Sequence, residues 1–384
     1  MRKIKVMNLI WHMGDGGAQQ IIINYLRAFQ NDPDIDFQLC VFTGPTDSKY
    51  DREIREKNYN VVYLNKPDTK CPIPYVRRFF RKAVVTKAWE AAIRAFQPDI
   101  VHVHISPLLE QTLPAIVRTG VPVRFDTLHT IPYRYTGKQR RLIQSAFLKH
   151  HVVPICLTEE QVQMAKDWYG IQKYELVRNG MDVQVLRNSC CSRQEARDYF
   201  HLDPDAFVVI GVGRLNPVKN YPLLIEAFAE IRKIHGNAKL LLAGDGKEKS
   251  SLLRLVQEKN LSENVVFLGN VTDISKLYSA ADVLGITSIS ESVSLVALEA
   301  QACGLRCVVS DAVPSESILL ESTRKMPAGA TPEDWANALL DFSYSGSSVL
   351  PMELFDVHHV NRQIKELYIN YYHQAQQHPE LFKD

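Results

Sequence analysis

Arg214 and Lys219 lie five residues apart in "VVIGVGRLNPVKNYPLLIEAF", between an apolar run ending at Gly213 and a helical pattern that begins around Pro222. Arginine offers a planar fork to phosphate oxygens, and lysine offers a compact charge. Proline suits a first helical turn. A helix start adds unpaired N–H groups and a positive dipole end. Together these make a diphosphate site, although two solvated cations on a loop fit the same spacing. In "SISESVSLVALEAQACG" Glu291 falls just before a helix and Glu299 inside it. Helical spacing stacks Glu299 with Leu295, Ala302 and Cys303 on the apolar face, where a carboxylate needs hydrogen-bond donors. Sugar hydroxyls meet that need, and so does a neighbouring loop. Glu291 also fits an ordinary helix cap.

The first half carries a different set. "HMGDGGAQQ" follows the apolar run "IKVMNLIW", as a glycine loop follows the first strand of many nucleotide-binding domains. A dinucleotide fingerprint needs G-x-G-x-x-G and an acidic residue ending the second strand. Gly14 and Gly16 fit, but Gln19 takes the third position, and the second strand ends in Thr43 and Gly44. The loop is therefore a poor NAD site. Its glycines, Gly16 and Gly17 above all, still permit close backbone approach. His129 in "DTLHT" sits at a strand end before a turn; it is one of twelve histidines, and a single buried structural histidine fits as well. His102 and His104 share a strand face without a third ligand beside them, so no metal is expected. Alternation does not decide which way Asp126 points.

These side chains need strands and helices to hold them. Eleven short runs rich in Val, Ile and Leu recur along the chain. Six are in the first half ("IKVMNLI", "DFQLCVF", "NVVYL", "DIVHVH", "VPVRFDTL", "VVPICLT"). Five are in the second ("AFVVIGVG", "AKLLLAG", "NVVFLG", "DVLGITS", "LRCVVS"). Continuous apolar runs separated by helical patterns read as buried parallel strands in α/β sheets with helices on both faces. The expected organisation is two doubly wound, Rossmann-like domains, residues 1–185 and 186–356, with the turn at Asn179-Gly180 near the boundary. Val360, Ile364, Leu367 and Tyr371 give the last segment, 357–384, an amphipathic helical pattern that packs back on the first domain.

The 384 residues suffice for two cores. No window of about 18 apolar residues appears, and the N-terminal run reads as a strand rather than a signal peptide. Seven cysteines without a C-x-x-C pair read as reduced thiols in a cytoplasmic protein. Residues 1–180 hold 26 Lys and Arg against 17 Asp and Glu, and the remainder 19 against 26. Two segments, 75–93 and 133–151, mix cations with aromatic and aliphatic residues. They fit an anionic membrane surface at the inner face of a membrane, or ordinary helices burying an apolar stripe. No nucleic-acid module is visible.

The order of "GVGRLNPVKNY", "LLLAGDG", "NVVFLGNVTDISKLYSAADV" and the Glu291-x7-Glu299 pair resembles the retaining glycosyltransferases of family 4, which have the GT-B fold. "GGAQ", "PDIVHVH", "TLHT", "LTEE" and "NGMD" extend the likeness over nearly the whole chain. The resemblance implies a central cleft, with a nucleotide-sugar donor on the second domain and a glycan or lipid-linked acceptor on the first. It implies that Arg214 and Lys219 hold the diphosphate, Glu299 the ribose and Glu291 the transferred sugar. Backbone N–H groups of Ser294, Leu295 and Val296 face sugar and phosphates, Val271 meets the base, and His129 lines the reaction centre. Gly16 and Gly17 form the first-domain wall. The expected chemistry is metal-independent hexosyl transfer, with a UDP-sugar favoured, in polysaccharide or lipid-linked glycan synthesis. A sugar-nucleotide 2-epimerase of the same fold and a non-catalytic subunit of a polysaccharide assembly complex are the alternatives. The family often reads E-x-F-G after the first glutamate and GGAE in the glycine loop. Here Val293, Ser294 and Gln19 depart from that pattern.

Overall fold

The structure is a computed structural model that describes residues 2–14, 16–66, 77–343 and 352–382; the side chains of 77–80 lie outside that description. It divides into two compact units, Met1–Gly180 with Val357–Asp384, and Met181–Asp356. In the first unit the strands are β1 (Ile4–Ile10), β2 (Ile35–Val41), β3 (Val61–Tyr63), β4 (Ile100–His104), β5 (Val123–Thr127), β6 (Val152–Cys156) and β7 (Glu175–Leu176). They form one parallel sheet in the order β3-β2-β1-β4-β5-β6-β7. The second unit holds β8 (Val208–Val212), β9 (Lys239–Ala243), β10 (Val265–Gly269), β11 (Val283–Ile286), β12 (Cys307–Ser310) and β13 (Arg324–Met326). These are also parallel, in the order β10-β9-β8-β11-β12-β13.

Both orders are doubly wound. The winding reverses between β1 and β4 in one sheet and between β8 and β11 in the other. Each of the eleven apolar runs contains one strand. The two strands not anticipated, β7 and β13, are edge strands of two and three residues, and β13 reads "RKM". Short, charged edges resist pairing with other chains, and that leaves them without an apolar pattern to read.

Each sheet is covered on both faces. In the first unit one face packs Val6, Ile10, Ile22 and Phe125, and the other Met7, Leu9, Trp89 and Val103. The helix Val357–Gln377 belongs to the first unit and buries Val360, Ile364, Tyr368 and Tyr371. Tyr368, not Leu367, is the fully enclosed residue about three turns along it.

The division falls at Gly180/Met181, ahead of the 185/186 boundary expected from sequence. Met181 donates its N–H to Phe355 O at 2.8 Å. Asp182 caps the helix Val183–Asn188, and Arg187 of that helix donates to Ala302 O at 3.1 Å. Those bonds recruit residues 181–185 into the second unit.

Six cysteines are free among the described residues; Cys71 lies outside them. Among the described residues no helix is long and apolar enough to cross a membrane. In the segment 75–93, Val85 and Trp89 are core, with Trp89 wholly enclosed, while Arg81, Lys82 and Lys87 are exposed. Trp89 packs on the sheet; the side chains of Phe79 and Phe80, which the sequence reading also set on that surface, lie outside the described residues. In the segment 133–151, Ile143, Ala146 and Phe147 are buried, but Tyr133, Arg134, Lys138, Arg141, Leu148 and Lys149 stay exposed.

Candidate active site

The second unit gathers its candidates at the carboxyl ends of β8 and β11, where ligands of open α/β sheets bind. β8 runs out into Gly213, at φ +138°. A Cβ there would meet Lys219 Cε at 3.2 Å and the Tyr221 hydroxyl at 3.3 Å, so a side chain would displace the lysine. Asn216 accepts the Lys219 N–H at 3.2 Å, closing a short turn through Pro217. The helix Tyr221–Ile234 follows, with Pro222 in its first turn.

The next two loops pack against this one backbone to backbone. A Cβ on Gly244, at φ +134°, would stand 2.0 Å from Gly213 O, and one on Gly246 2.2 Å from Leu215 O. Leu215 N–H donates to Asp245 O at 2.9 Å, and Gly244 N–H to Gly269 O at 2.7 Å. The glycines of "LLLAGDG" thus allow the chain approach that holds the Arg214 loop.

Lys219 and Glu291 meet. Nζ stands 2.7 Å from Oε1, and the Ser288 hydroxyl donates to the same oxygen at 2.7 Å. The Glu291 side chain is 10% exposed and the Lys219 side chain 22%. The loop after β11 is stitched to the loop after β8. Thr287 donates to Lys219 O and Asn220 O at 3.0 and 2.9 Å, and Ile289 N–H to Val218 O at 2.8 Å. Arg214 is exposed and makes no ion pair among the described residues. Lys219 and Glu291 therefore form one charge pair, while Arg214 stays open.

Glu299 is elsewhere on its helix than the pattern implied. In Leu295–Ala302 the enclosed residues are Ala297, Leu298, Ala300, Gln301 and Ala302. Glu299 lies on the half-exposed side with Leu295 and Val296, and Tyr278 donates to its Oε2 at 3.1 Å. An eight-residue helix apolar nearly all round gives period 3.6 little to orient. Ser294 caps this helix by accepting the Ala297 N–H, and its own N–H donates to Ser317 Oγ at 3.2 Å. The Ser294 N–H is thereby committed inside the protein. The N–H groups of Leu295 and Val296, in the first turn, have no intrahelical acceptor. Val271, after β10, is half-buried against the second unit's core.

Sequence reasoning missed Gln301. It is enclosed, donates to Ala297 O and Ser317 O at 2.8 Å each, and accepts from Leu319 N, Leu320 N and Thr323 Oγ1 at 2.6, 2.9 and 2.9 Å. It holds the 315–323 loop against the helix that Ser294 opens.

In the first unit, the helix Gly17–Phe29 starts with Gly16 as its N-cap, in extended backbone. Gly14 N–H donates to His12 Nδ1 at 3.0 Å, and Gln19 Nε2 to His12 O at 3.1 Å. A glutamate at position 19 has no donor for that carbonyl, so the GGAE departure has a local reason. Ser48 Oγ donates to Met13 O at 2.5 Å. Enclosed Asp51 accepts from Thr46 N, Thr46 Oγ1 and Tyr63 OH at 2.6 Å each, bracing the segment that carries Ser48.

His129 follows β5, half-buried, with Nε2 2.9 Å from His104 Nδ1. Burial lowers its pKa to about 4, that of His102 to about 3, and that of His104 well below the usual range. All three are neutral near pH 7. The rings of His102 and His104 are engaged by Tyr368, Thr127, Asn8 and His129, and no metal-holding cluster occurs among the described residues. Asp126 is fully enclosed. Burial pushes its carboxyl well above the usual range, with the Ser106 hydroxyl offsetting only part of that, and neither oxygen meets a partner at hydrogen-bond geometry.

Comparison with known proteins agrees with this architecture. Residues 15–185 match the model "Glycosyltransferase Family 4" and residues 192–342 the model "Glycosyl transferases group 1". EpsF of Bacillus subtilis (strain 168), whose glycosyltransferase assignment is itself provisional, is 24% identical over 80% of this chain and 79% of that protein. The D-inositol 3-phosphate glycosyltransferase of Mycobacterium ulcerans (strain Agy99) is 33% identical over 44% of this chain and only 36% of that protein. Among solved structures, Anabaena HepE in complex with UDP and glucose aligns with TM-score 0.76 and 19% identity, over 96% of this chain and 100% of that one. The chain belongs to the family 4 glycosyltransferases, the glycosyl transferases group 1, and has their GT-B fold.

Proposed function

We propose that this glycosyltransferase moves a hexose-type sugar, with retention, from a nucleoside diphosphate donor to a hydroxyl of a glycan or lipid-linked acceptor. A UDP-sugar is the favoured donor, since the HepE structures contain UDP and UDP-glucose. The observation that carries the reading is the Lys219–Glu291 pair beside open Arg214 at the β8/β11 switch point. Arg214, Lys219 and the first-turn N–H groups of Leu295 and Val296 take the diphosphate and stabilise charge growing on it. Glu291 accepts from sugar hydroxyls, Glu299 from the ribose, and the backbone at Val271 meets the base. These cations carry the phosphate charge without a metal ion. The bond from the sugar's anomeric carbon to the β-phosphate oxygen breaks, the acceptor oxygen bonds the same face, and its proton passes to the leaving phosphate. Gly16, Gly17 and His129 of the first unit serve the acceptor and the sugar.

Polysaccharide or lipid-linked glycan synthesis suits this chemistry. The exposed cations Arg134, Lys138, Arg141 and Lys149, with Tyr133 and Leu148, suit an anionic lipid surface. Titration calorimetry with UDP, UDP-glucose, UDP-N-acetylglucosamine and GDP-mannose tests the donor, and the anomeric configuration of the product tests retention. Failure of all four to bind overturns the donor reading; an inverted product overturns retention.

A further inference from the structure

Three of the six free cysteines among the described residues, Cys40, Cys156 and Cys307, are wholly enclosed, and burial pushes each thiol up to about 12. Those sulfurs are closed to solvent and inert. Cys190, Cys191 and Cys303 are half-buried instead, all in the second unit. Two of them come together. Cys190 follows the helix Val183–Asn188, with its N–H bonded to Arg187 O at 3.1 Å and its thiol to Leu186 O at 3.5 Å. Cys303 is the C-cap of the helix Leu295–Ala302, with its N–H bonded to Glu299 O at 3.1 Å. The two helix ends are fastened to each other. Arg187 Nε donates to Ala302 O at 3.1 Å, and Leu186 packs against the apolar cluster that holds Leu298 and Ala302. The side chains complete the approach, for the Cys303 thiol donates to the Cys190 sulfur. Cys191 is held differently, its N–H donating to Ser279 Oγ at 3.3 Å.

The surroundings give the two sulfurs different parts. Burial first, then the Cys190 sulfur and the Glu299 carboxylate, hold the Cys303 thiol well above its usual range. The Arg187 guanidinium offsets only part of that. Cys303 therefore keeps its proton and turns it toward Cys190, so the first attack on an oxidant falls to Cys190.

We propose that Cys190 and Cys303 are a thiol pair that a peroxide converts to an intramolecular disulfide. The Cys190 sulfur attacks one peroxide oxygen, the O–O bond breaks, and the Cys190 proton leaves with the other oxygen as water. Cys190 is then a sulfenic acid. The Cys303 sulfur attacks the Cys190 sulfur. The S–S bond forms, the S–O bond breaks, and the departing hydroxide takes the Cys303 proton as a second water. The two thiols together lose two electrons, and the peroxide gains them; a dithiol reductant reverses the change by exchange. The bond staples the segment that opens the second unit to the end of the helix that carries Glu299. This modification does not depend on the function proposed above.

The test uses the full reduced chain, freed of reductant, treated with a small excess of hydrogen peroxide, then blocked with N-ethylmaleimide in denaturant. The expected product has lost two hydrogens and takes five maleimides, where the reduced chain takes one on each of its seven cysteines. Proteolysis without reductant yields a peptide joining Cys190 to Cys303, and dithiothreitol removes it. Seven maleimides after peroxide, oxygen addition in place of hydrogen loss, or a linkage of either residue to Cys191 overturns the proposal without any variant having to fold. An equal yield of the Cys190–Cys303 linkage when oxidation is run in urea overturns it too, since placement in the fold then contributes nothing. In Cys303→Ser, dimedone captures the sulfenic acid on Cys190; no capture there refutes the order of attack. In Cys190→Ser, oxidation of Cys303 slows about tenfold or more, and an unchanged rate refutes the pairing.

Discussion

Replacing Lys219 by methionine removes one charge and keeps most of the side-chain volume. The lysine Nζ stands 2.7 Å from Glu291 Oε1. At that distance the gross attraction is about 6 kcal/mol at an effective dielectric of 20 and about 1.5 kcal/mol in water. With Lys219 partly open to solvent and Ser288 still donating to the carboxylate, the net stability loss is expected near the low end, about 1–2 kcal/mol. That lowers the melting temperature of the second unit by about 2–4 °C per kcal/mol and leaves it folded. The effect on transfer is larger, because removing one preorganised partner of developing charge lowers kcat about 10²–10³-fold. Thermal melts and initial-rate assays on the same preparation separate the two effects. Lys219→Met/Glu291→Gln removes both charges and should recover most of the lost stability while transfer stays low. If the double variant recovers transfer as well, Lys219 does no more than neutralise Glu291, and its assignment to the diphosphate is wrong. Unchanged turnover in Lys219→Met refutes that assignment too.

Gln301→Met leaves the buried Leu319 N–H, the half-buried Leu320 N–H and two carbonyls without their side-chain partner, which costs about 3–5 kcal/mol; urea unfolding that moves by under about 1 kcal/mol contradicts the bracing role. Trp89→Ala empties the wholly enclosed core site under the basic helix and should cost about 3–5 kcal/mol, with no selective loss of vesicle binding when folded protein is compared. Below about pH 6.5, unfolding should take up protons at His102, His104 and His129, whose folded pKa values are depressed; stability is then present above pH 6.5 and lost as pH falls toward 4, by about 1.4 kcal/mol per pH unit for each imidazole that stays neutral, as chemical denaturation at stepped pH will show. Asp126 has the opposite sign: its raised pKa opposes folding above the ordinary carboxylate value, so Asp126→Asn should raise stability at pH 7–8, and a destabilised variant would show that its enclosed oxygens have a donor.

The sheets could be read from the sequence because Val, Ile and Leu runs such as "VVIGV" and "KLLLA" are enclosed on both faces, and that requirement writes itself into consecutive residues. The cations followed from the strands, since Arg214 and Lys219 come directly after β8. What escaped was tertiary. The Lys219–Glu291 pair spans 72 residues, the Asn8–His104 bond 96 and the His102–Tyr368 bond 266, distances at which periodicity says nothing. Local patterns also mislead where two outcomes share one composition. Trp89 among arginines and lysines suits a lipid surface as well as a core, and only burial separates them. Helical spacing sets Glu299 on the apolar face because its helix offers apolar neighbours on most sides, while the enclosed face carries Gln301.

The charge asymmetry bears on how an anionic donor would be held. Residues 181–356 carry 16 Lys and Arg against 23 Asp and Glu, whereas residues 1–180 with 357–384 carry 29 against 20. An acidic unit does not draw a nucleoside diphosphate in from a distance; its long-range field opposes approach. Binding there has to come from short-range geometry. Lys219 already shares its charge with Glu291, so the full local cation is Arg214, helped by N–H groups at the start of the helix Leu295–Ala302. The loop that carries Arg214 must then be rigid, and the structure supplies that rigidity through backbone. Gly244 and Gly246 let the β9 loop close onto Gly213 and Leu215, and hydrogen bonds from Leu215 and Gly244 lock the three loops together. In the function proposed above, the glycines of the second unit act on the donor through the arginine they hold still, not through contact with phosphate.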